Sequence, residues 1–353
     1  MQQKKKWSLT ILLFAFVIVC FAIAAIPALR NDSRPSPDGN LQLHFLNVGQ
    51  GDSTLILCDG HAMLIDGGDL SSSRKVYTYL KDLNVRHLDY IIATHPHDDH
   101  TGGLSGALNF ADAETALSPV AEADCAGFRN FLKYLNEKNI PITVPRPGES
   151  YALGSAKFVI LAPTHLTDDW NNSSIVLRLT YGDYHALFTG DAELQEEQDL
   201  LSSRKQISAN VLKVGHHGGN DASGADFLDA VSPRIAVISC GAGNEYGHPS
   251  RQTLLRLESV GASVLRTDQM GDIVISVQPN GFYSIQSTVM GSKTDIPVSP
   301  KEITYIVNTG SGKFHLPDCS SADEITPSHR MEFTGTREDL ISMGYEPCGR
   351  CKP

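Results

Sequence analysis

Thr94-His95-Pro96-His97-Asp98-Asp99-His100-Thr101-Gly102-Gly103 follows directly on the apolar run Leu88-Asp89-Tyr90-Ile91-Ile92-Ala93. Three imidazoles and two carboxylates fall within the six positions His95 to His100. A strand that ends in such a loop delivers its polar side chains together at the carboxyl edge of a sheet. Neutral imidazole and carboxylate are the ligands that suit zinc, manganese and iron. A solvated polar turn would account for His or Asp singly. It does not account for His at alternate positions followed by Asp-His and a glycine pair.

Three further apolar runs end in the same kind of residue. They are Leu64-Ile65-Asp66-Gly67-Gly68, Leu187-Phe188-Thr189-Gly190-Asp191 and Val211-Leu212-Lys213-Val214-Gly215-His216-His217-Gly218. Each places Asp or His where a short Val/Ile/Leu-rich strand stops. Together with His-x-His-x-Asp-His, the set resembles the metallo-β-lactamase fold, an αββα sandwich of the α/β class that serves as a two-metal hydrolase scaffold. That resemblance implies that His95 and His97 hold one metal and that Asp99 and His100 hold the second. It further implies that Asp191 bridges the two, that His216 completes the second, and that Asp66 is a buried carboxylate steadying the metal loop.

Phe45-Leu46-Asn47-Val48-Gly49-Gln50-Gly51-Asp52-Ser53, Asn171-Asn172-Ser173-Ser174-Ile175-Val176-Leu177 and Tyr246-Gly247-His248-Pro249 narrow the likeness. They are similar to the ComEC-type branch, the hydrolase domain of bacterial competence proteins and its stand-alone exported relatives. The likeness covers roughly residues 41 to 287. Asn47 departs from the Asp of the competence proteins' own glycine motif. Many metallo-β-lactamase enzymes carry a third His for the first metal; here that interval holds His165 and the Asn/Ser stretch. The branch pattern implies Asn171 and Ser174 near the metals, with His165 as the alternative ligand. A site with one imidazole fewer is harder, which shifts preference from zinc toward manganese.

Two cations side by side activate water and stabilise both the attacking and the leaving oxygen of a displacement. Asp99 and Asp191 thereby serve catalysis as well as ligation. His217 and His248 are candidates for contacting a phosphate oxygen or protonating a leaving group, and packing behind His216 is the other reading of His217. Asp52 lies in a glycine-flanked turn that either approaches the metals or only caps the turn. Asp98 reads as a solvated neighbour of the ligands.

At the amino end, Lys4-Lys5-Lys6 precedes an apolar stretch from Trp7 to Ile26. About 20 such residues span a bilayer as a helix, and the same pattern fits a long signal peptide. With the basic flank cytoplasmic, the bulk of the chain is exported, either secreted or anchored to the outer face of the membrane. The expected organisation is a signal peptide or anchor over 1–30 and a linker over 31–40. The hydrolase domain then covers 41–290, a second linker 291–301, and a small C-terminal module 302–353. Helices are expected over Ser72 to Leu83, Cys125 to Asn139, Ala192 to Ser203 and Ser250 to Ser259, from apolar residues at helical spacing. Pro141 to Ser150 reads as a connection, Phe158 to Leu161 as a strand, and Pro279-Asn280-Gly281 as a hairpin turn.

The C-terminal module carries His315-x3-Cys319 and Cys348-x2-Cys351. Two close pairs of ligands suit a closed tetrahedral zinc site, which supplies stability that so short a module lacks. A disulfide, favoured by an oxidising compartment, is the competing reading, and His329 is an alternative ligand. The module distantly resembles the zinc domain of the Ada repair protein. Cys58, Cys125 and Cys240 sit in apolar or helical stretches and read as small buried hydrophobes.

The chain has 29 basic and 40 acidic residues, a formal net charge of -11, and no long basic run beyond Lys4 to Lys6. That composition speaks against tight or processive duplex binding more than against hydrolysis. Arg251, Arg256 and Arg266 form a local patch or occupy solvated helix positions. The expected function is an exported phosphodiesterase or nuclease acting on DNA with two zinc or manganese ions. The alternatives are hydrolysis of a phosphocholine ester, lactone or β-lactam, or a non-catalytic surface receptor for nucleic acid.

Overall fold

The central strands of the hydrolase region are buried on both faces, and their alternating side chains sort into separate apolar layers. In the computed structural model, which describes residues 41–278, 283–289, 303–317, 319–335 and 337–351, the first sheet opens with β1 (Leu41–Phe45), β2 (Thr54–Cys58) and β3 (His61–Ile65). It continues with β4 (His87–Ile92), β5 (Asp112–Leu117) and β6 (Ile142–Thr143). The second sheet holds β7 (Ser150–Leu153), β8 (Ala156–Ala162), β9 (Val176–Tyr181), β10 (Tyr184–Phe188), β11 (Val211–Lys213), β12 (Ile235–Ile238) and β13 (Ser263–Arg266). The chain then returns to the first sheet with β14 (Ile273–Val277) and β15 (Tyr283–Ser287), so that the order is β15-β14-β1-β2-β3-β4-β5-β6 against β13-β12-β11-β10-β9-β8-β7.

Leu41, Leu43 and Phe45, with Ile56, Met63 and Ile65, face the second sheet and meet Phe158, Ile160, Leu177, Phe188 and Val211. Phe45 and Phe188 stack across that interface with ring centroids 6.3 Å apart, just ahead of the loops that build the site. The intervening residues Leu55, Ala62 and Leu64 face outward onto helices α1 (Ser73–Asp82), α2 (Leu104–Phe110) and α3 (Ala126–Glu137). On the far side, Leu187, Leu212, Ala236 and Ile238 pack under α4 (Leu194–Ser202), α5 (Ala225–Val231) and α6 (Arg251–Ser259). This is the αββα sandwich, and a strand covered on both faces has no polar side to show, which is why its sequence reads as continuous apolar runs.

Ser250, expected as the first residue of a helix, is instead its N-cap, accepting from Thr253 N at 3.1 Å. Residues 141–150 are not merely a connection, since β6 lies within them and β7 begins at their end. The two strands flanking the expected hairpin turn pair antiparallel, whereas the turn itself, like the signal segment, the 31–40 linker and the 291–301 linker, falls outside the described residues. Among the described residues, no helix is long and apolar enough to cross a membrane.

The C-terminal strands β16 (Ile303–Asn308), β17 (Lys313–His315), β18 (Arg330–Gly335) and β19 (Glu346–Pro347) form a separate four-stranded sheet. β16 alternates: Ile306 meets Cys319, Ala322, Ile325 and Cys348, while Tyr305 and Val307 meet Phe314 and Leu340. Both cores are small.

Two histidines are held neutral by the sandwich. Burial pushes His44 down to about 4, against a smaller pull from Asp272, and burial followed by Arg178 pushes His185 to about 4. Between pH 6.5 and 4 the unfolded chain therefore binds protons that the folded chain refuses. The stability these groups contribute is complete above pH 6.5 and is lost as pH falls toward 4. In urea titrations the midpoint should fall across that window, and the double variant His44→Gln, His185→Gln should show a shallower decline. An equal slope in both proteins would remove these histidines from the account.

Candidate active site

Strands β3 and β4 run parallel, as do β10, β11 and β12, so both sheets present carboxyl ends at one edge of the sandwich. Asp66 leaves β3, Thr94 and His95 leave β4, Asp191 leaves β10, and His216 and His217 leave β11. Close backbone approach brings the loops together. Gly51, at φ +142°, lies where a Cβ would meet Asp99 O, and a Cβ on Gly103 would collide with Gly67 O. Only glycine permits either approach.

Asp66 is 1% exposed and fully used. Its Oδ1 accepts from Thr94 N at 2.8 Å, and its Oδ2 accepts from Thr94 Oγ1 at 2.7 Å and faces His100 Nδ1 at 2.9 Å. The last contact fixes the ring so that His100 Nε2 lies 3.1 Å from Asp191 Oδ2. A carboxylate behind a histidine in this way sets the tautomer and direction of the ligating nitrogen.

Asp191 Oδ2 also lies 3.2 Å from His217 Nε2, which lies 3.2 Å from Asp99 Oδ2. On the other flank His95 Nε2 and His97 Nδ1 are 3.0 Å apart, and Ser174 Oγ reaches toward His95 Nδ1 at 3.4 Å while accepting from Asp191 N at 3.1 Å. Burial, then neighbouring His100, holds His95 well below its ordinary value and so keeps it neutral. The electrostatics call for cations. Asp52, Asp66, Asp99 and Asp191 meet one permanent positive charge, Lys213, and Asp191 Oδ1 is buried with no hydrogen-bond partner. Burial opposes charge on His100 and His217, yet the surrounding carboxylates, led by Asp191, raise both well above the ordinary imidazole value. Protons there occupy the place that a divalent ion fills better. The donor set of imidazole nitrogens and carboxylate oxygens fits zinc or manganese.

The structure reverses the expected placement of one pair. His217, not His216, joins Asp99, His100 and Asp191, and its ring is 2% exposed. His216 turns the other way: its Nδ1 lies 2.9 Å from Asp221 Oδ1 and 3.5 Å from Glu193 Oε1. Both histidines hold positive φ, 45° and 52°, a conformation that costs a non-glycine residue on the order of 1 kcal/mol or more and concentrates at functional sites. Two successive left-handed residues upset the strand-to-loop alternation, so counting positions after β11 does not tell which ring turns inward.

Asp52 does more than cap its turn. Its Oδ2 lies 2.5 Å from Lys213 Nζ and its Oδ1 3.2 Å from His217 Nδ1, so a buried ion pair supports the His217 ring from behind. Lys213 lies inside a motif read for its histidines and Glu193 inside the expected helix from Ala192 to Ser203, and neither stood out. Lys213 occupies a buried strand position, where a lysine is abnormal unless paired. That abnormality was the available signal.

Asn171 borders the cavity, its Nδ2 2.9 Å from Glu193 Oε1 and its Oδ1 without a hydrogen-bond partner. His248 and Tyr246 complete the rim of this space, a cavity of about 320 Å³ that also borders His97, Asp99, Asp191, His216 and His217. His165 stays outside, exposed, 3.9 Å from Asp199. Asp98 is more than a solvated neighbour, because its Oδ1 accepts from Gly127 N at 2.6 Å near the start of α3. The arginine patch does not form: Arg256 donates to the carbonyls of Asn220, Ala222 and Ser223, and Arg266 pairs with Asp268.

In the C-terminal module His315, Cys319, Cys348 and Cys351 bring one ligand atom each within 4.8 Å of the others, and all three cysteines are free thiols. His329 is exposed and outside the group.

Residues 46–242 match the family model of the metallo-beta-lactamase superfamily. The chain is 28% identical over 274 residues to ComE operon protein 3 of Bacillus subtilis (strain 168), covering 72% of this chain and 34% of that protein. It is 27% identical over 248 residues to competence protein ComA of Neisseria gonorrhoeae, covering 69% and 33%. Recombination protein 2 of Haemophilus influenzae is 28% identical over 270 residues, covering 74% and 31%. The chain thus spans about a third of the length of these curated relatives. Among solved structures, the metallo-beta-lactamase fold protein YhfI from Bacillus subtilis is 15% identical with a TM-score of 0.46, covering 67% of this chain and 99% of that one.

If Asp66 sets His100 for ligation, Asp66→Asn should keep the fold and weaken metal affinity about 10–100-fold, read by competition with a chromogenic chelator. Unchanged affinity would contradict that role.

Proposed function

Because the chain belongs to the metallo-beta-lactamase superfamily and is related to the competence proteins, we propose that it is an exported phosphodiesterase or nuclease that cleaves DNA. The observation that carries the reading is the convergence of Asp99, His100, Asp191 and His217 at an open cavity, with a buried Asp191 oxygen left unpartnered. His95, His97 and Asp191 would hold one divalent ion, and Asp99, His100, Asp191 and His217 the other. When bound, such a pair lowers the pKa of water and offsets the charge that builds on phosphodiester oxygens.

The chain's own groups orient what enters. Asp221 fixes the His216 ring at the cavity wall, and Glu193 fixes the Asn171 amide beside it. His248 has a buried Nδ1 with no partner. Burial first, then the nearby His216 and His217, holds its ring below the ordinary value, so near neutral pH it meets a phosphate oxygen as a neutral hydrogen-bonding group. Similarity to a competence protein and a recombination protein supports DNA as the substrate. The lysine block and apolar amino stretch support export, with the bulk of the chain secreted or held at the outer membrane face. We assign one structural zinc to His315, Cys319, Cys348 and Cys351, supported by four convergent ligand atoms in a module with small cores.

Loaded with manganese or zinc, the full chain should cleave DNA and bis(4-nitrophenyl) phosphate, and Asp191→Ala should abolish both activities. A metal-loaded protein that cuts no phosphodiester but opens a lactone or β-lactam would move the assignment to those substrates. Asp191→Ala should still retain one equivalent of zinc, which Cys348→Ser should lose together with a fall in Tm. Loss of all zinc on Asp191→Ala would contradict a separate structural site.

A further inference from the structure

Tyr246 is the most exposed large apolar side chain among the described residues, at 73%, and it stands on the rim of the hydrolytic cavity. Its ring centroid lies 5.8 Å from that of His248, with the planes inclined by 30°. Among the described residues His248 is its one ring neighbour. The loop holds Tyr246 in place rather than leaving it loose. Asn244 Nδ2 donates to the carbonyls of Gly241 and His248 at 2.9 and 2.5 Å, and its Oδ1 accepts from His248 N at 3.0 Å. An aromatic ring fixed in water beside a catalytic cavity has no packing purpose of its own.

We propose that Tyr246 is a stacking subsite for an unpaired nucleobase, so that the chain takes single-stranded rather than duplex nucleic acid. The proposal rests on the phosphodiesterase reading for its substrate class. Charge supports it. Duplex binding draws its affinity from lysine and arginine contacts to phosphates. Here the net charge is -11, and Arg256 and Arg266 are spent on carbonyls and on Asp268. Base–aromatic stacking draws on the face of the base rather than on its phosphate, adds about 1–3 kcal/mol per base, and tolerates any sequence. A base within a duplex has both faces covered by its neighbours, whereas an unpaired one can lay a face on Tyr246. The cavity, about 320 Å³, sits at the small end of ligand pockets, which run roughly from 300 to 1,000 Å³, and suits one nucleotide-sized group.

The test measures binding, so that it stands apart from catalysis. In the full chain carrying Asp191→Asn, so that no strand is cut, fluorescence anisotropy is read with a single-stranded oligothymidine, an abasic strand of equal length and a blunt duplex. The parent should bind oligothymidine more tightly than either control. Tyr246→Ala should weaken that binding about 5- to 150-fold, and Tyr246→Phe should restore it. Equal affinity of the parent for the abasic strand, tighter binding of the duplex, or an unaltered Tyr246→Ala would each overturn the subsite. If the metal-loaded parent cuts no phosphodiester while Tyr246→Ala still loses oligothymidine binding, the subsite stands and the hydrolase reading falls.

Discussion

A carboxylate sealed from water must be satisfied by the protein around it, and at Asp66 that requirement organises the whole edge of the sandwich. Burial by itself raises its pKa, and the His100 ring and the Thr94 amide pull it back. In meeting the need of one buried anion, the chain fixes the start of the metal loop through Thr94 and the direction of its last histidine. The remaining ligands follow from strand ends already set by packing: Phe45 against Phe188 holds the two sheets in contact directly beneath the point where Asp191 emerges. A buried ion pair, Asp52 with Lys213, supports His217 from the other sheet. The site is therefore shared between sheets, and neither half assembles it alone.

The same economy explains the concentration of polar groups that a core would otherwise reject. Uncompensated buried charge is costly, and it persists where a strong partner is expected. Four carboxylates around a single lysine make the edge a cation-binding surface by electrostatics before any detail of geometry is considered. In the C-terminal module, His315, Cys319, Cys348 and Cys351 likewise converge beside two small apolar cores.

The layers of the fold were legible because burial on both faces forces continuous apolar strands, and the ligand-bearing loops because Asp and His end those runs. His95, His97, Asp99, His100 and Asp191 fall together as the metallo-β-lactamase resemblance implies, and Ser174 and Asn171 lie beside them. The histidine pair after β11 was not legible, because which ring turns inward depends on two left-handed residues, and no spacing rule carries that information. Lys213 and Glu193 escaped notice because their role is to hold another side chain, a relation visible only once distant loops meet. The basic patch failed for the opposite reason: Arg256 and Arg266 look solvated in sequence, yet local carbonyls and Asp268 consume them.

On the proposed reading, one edge of the sandwich holds two divalent ions, with His217 rather than His216 inside the cluster. Anomalous diffraction from crystals of the full chain soaked in manganese tests it most directly. The account predicts two peaks, one beside His95, His97 and Asp191 and one beside Asp99, His100, Asp191 and His217. A single peak held by Glu193, His216 and Asp221, or none at the edge of the sheets, would contradict it.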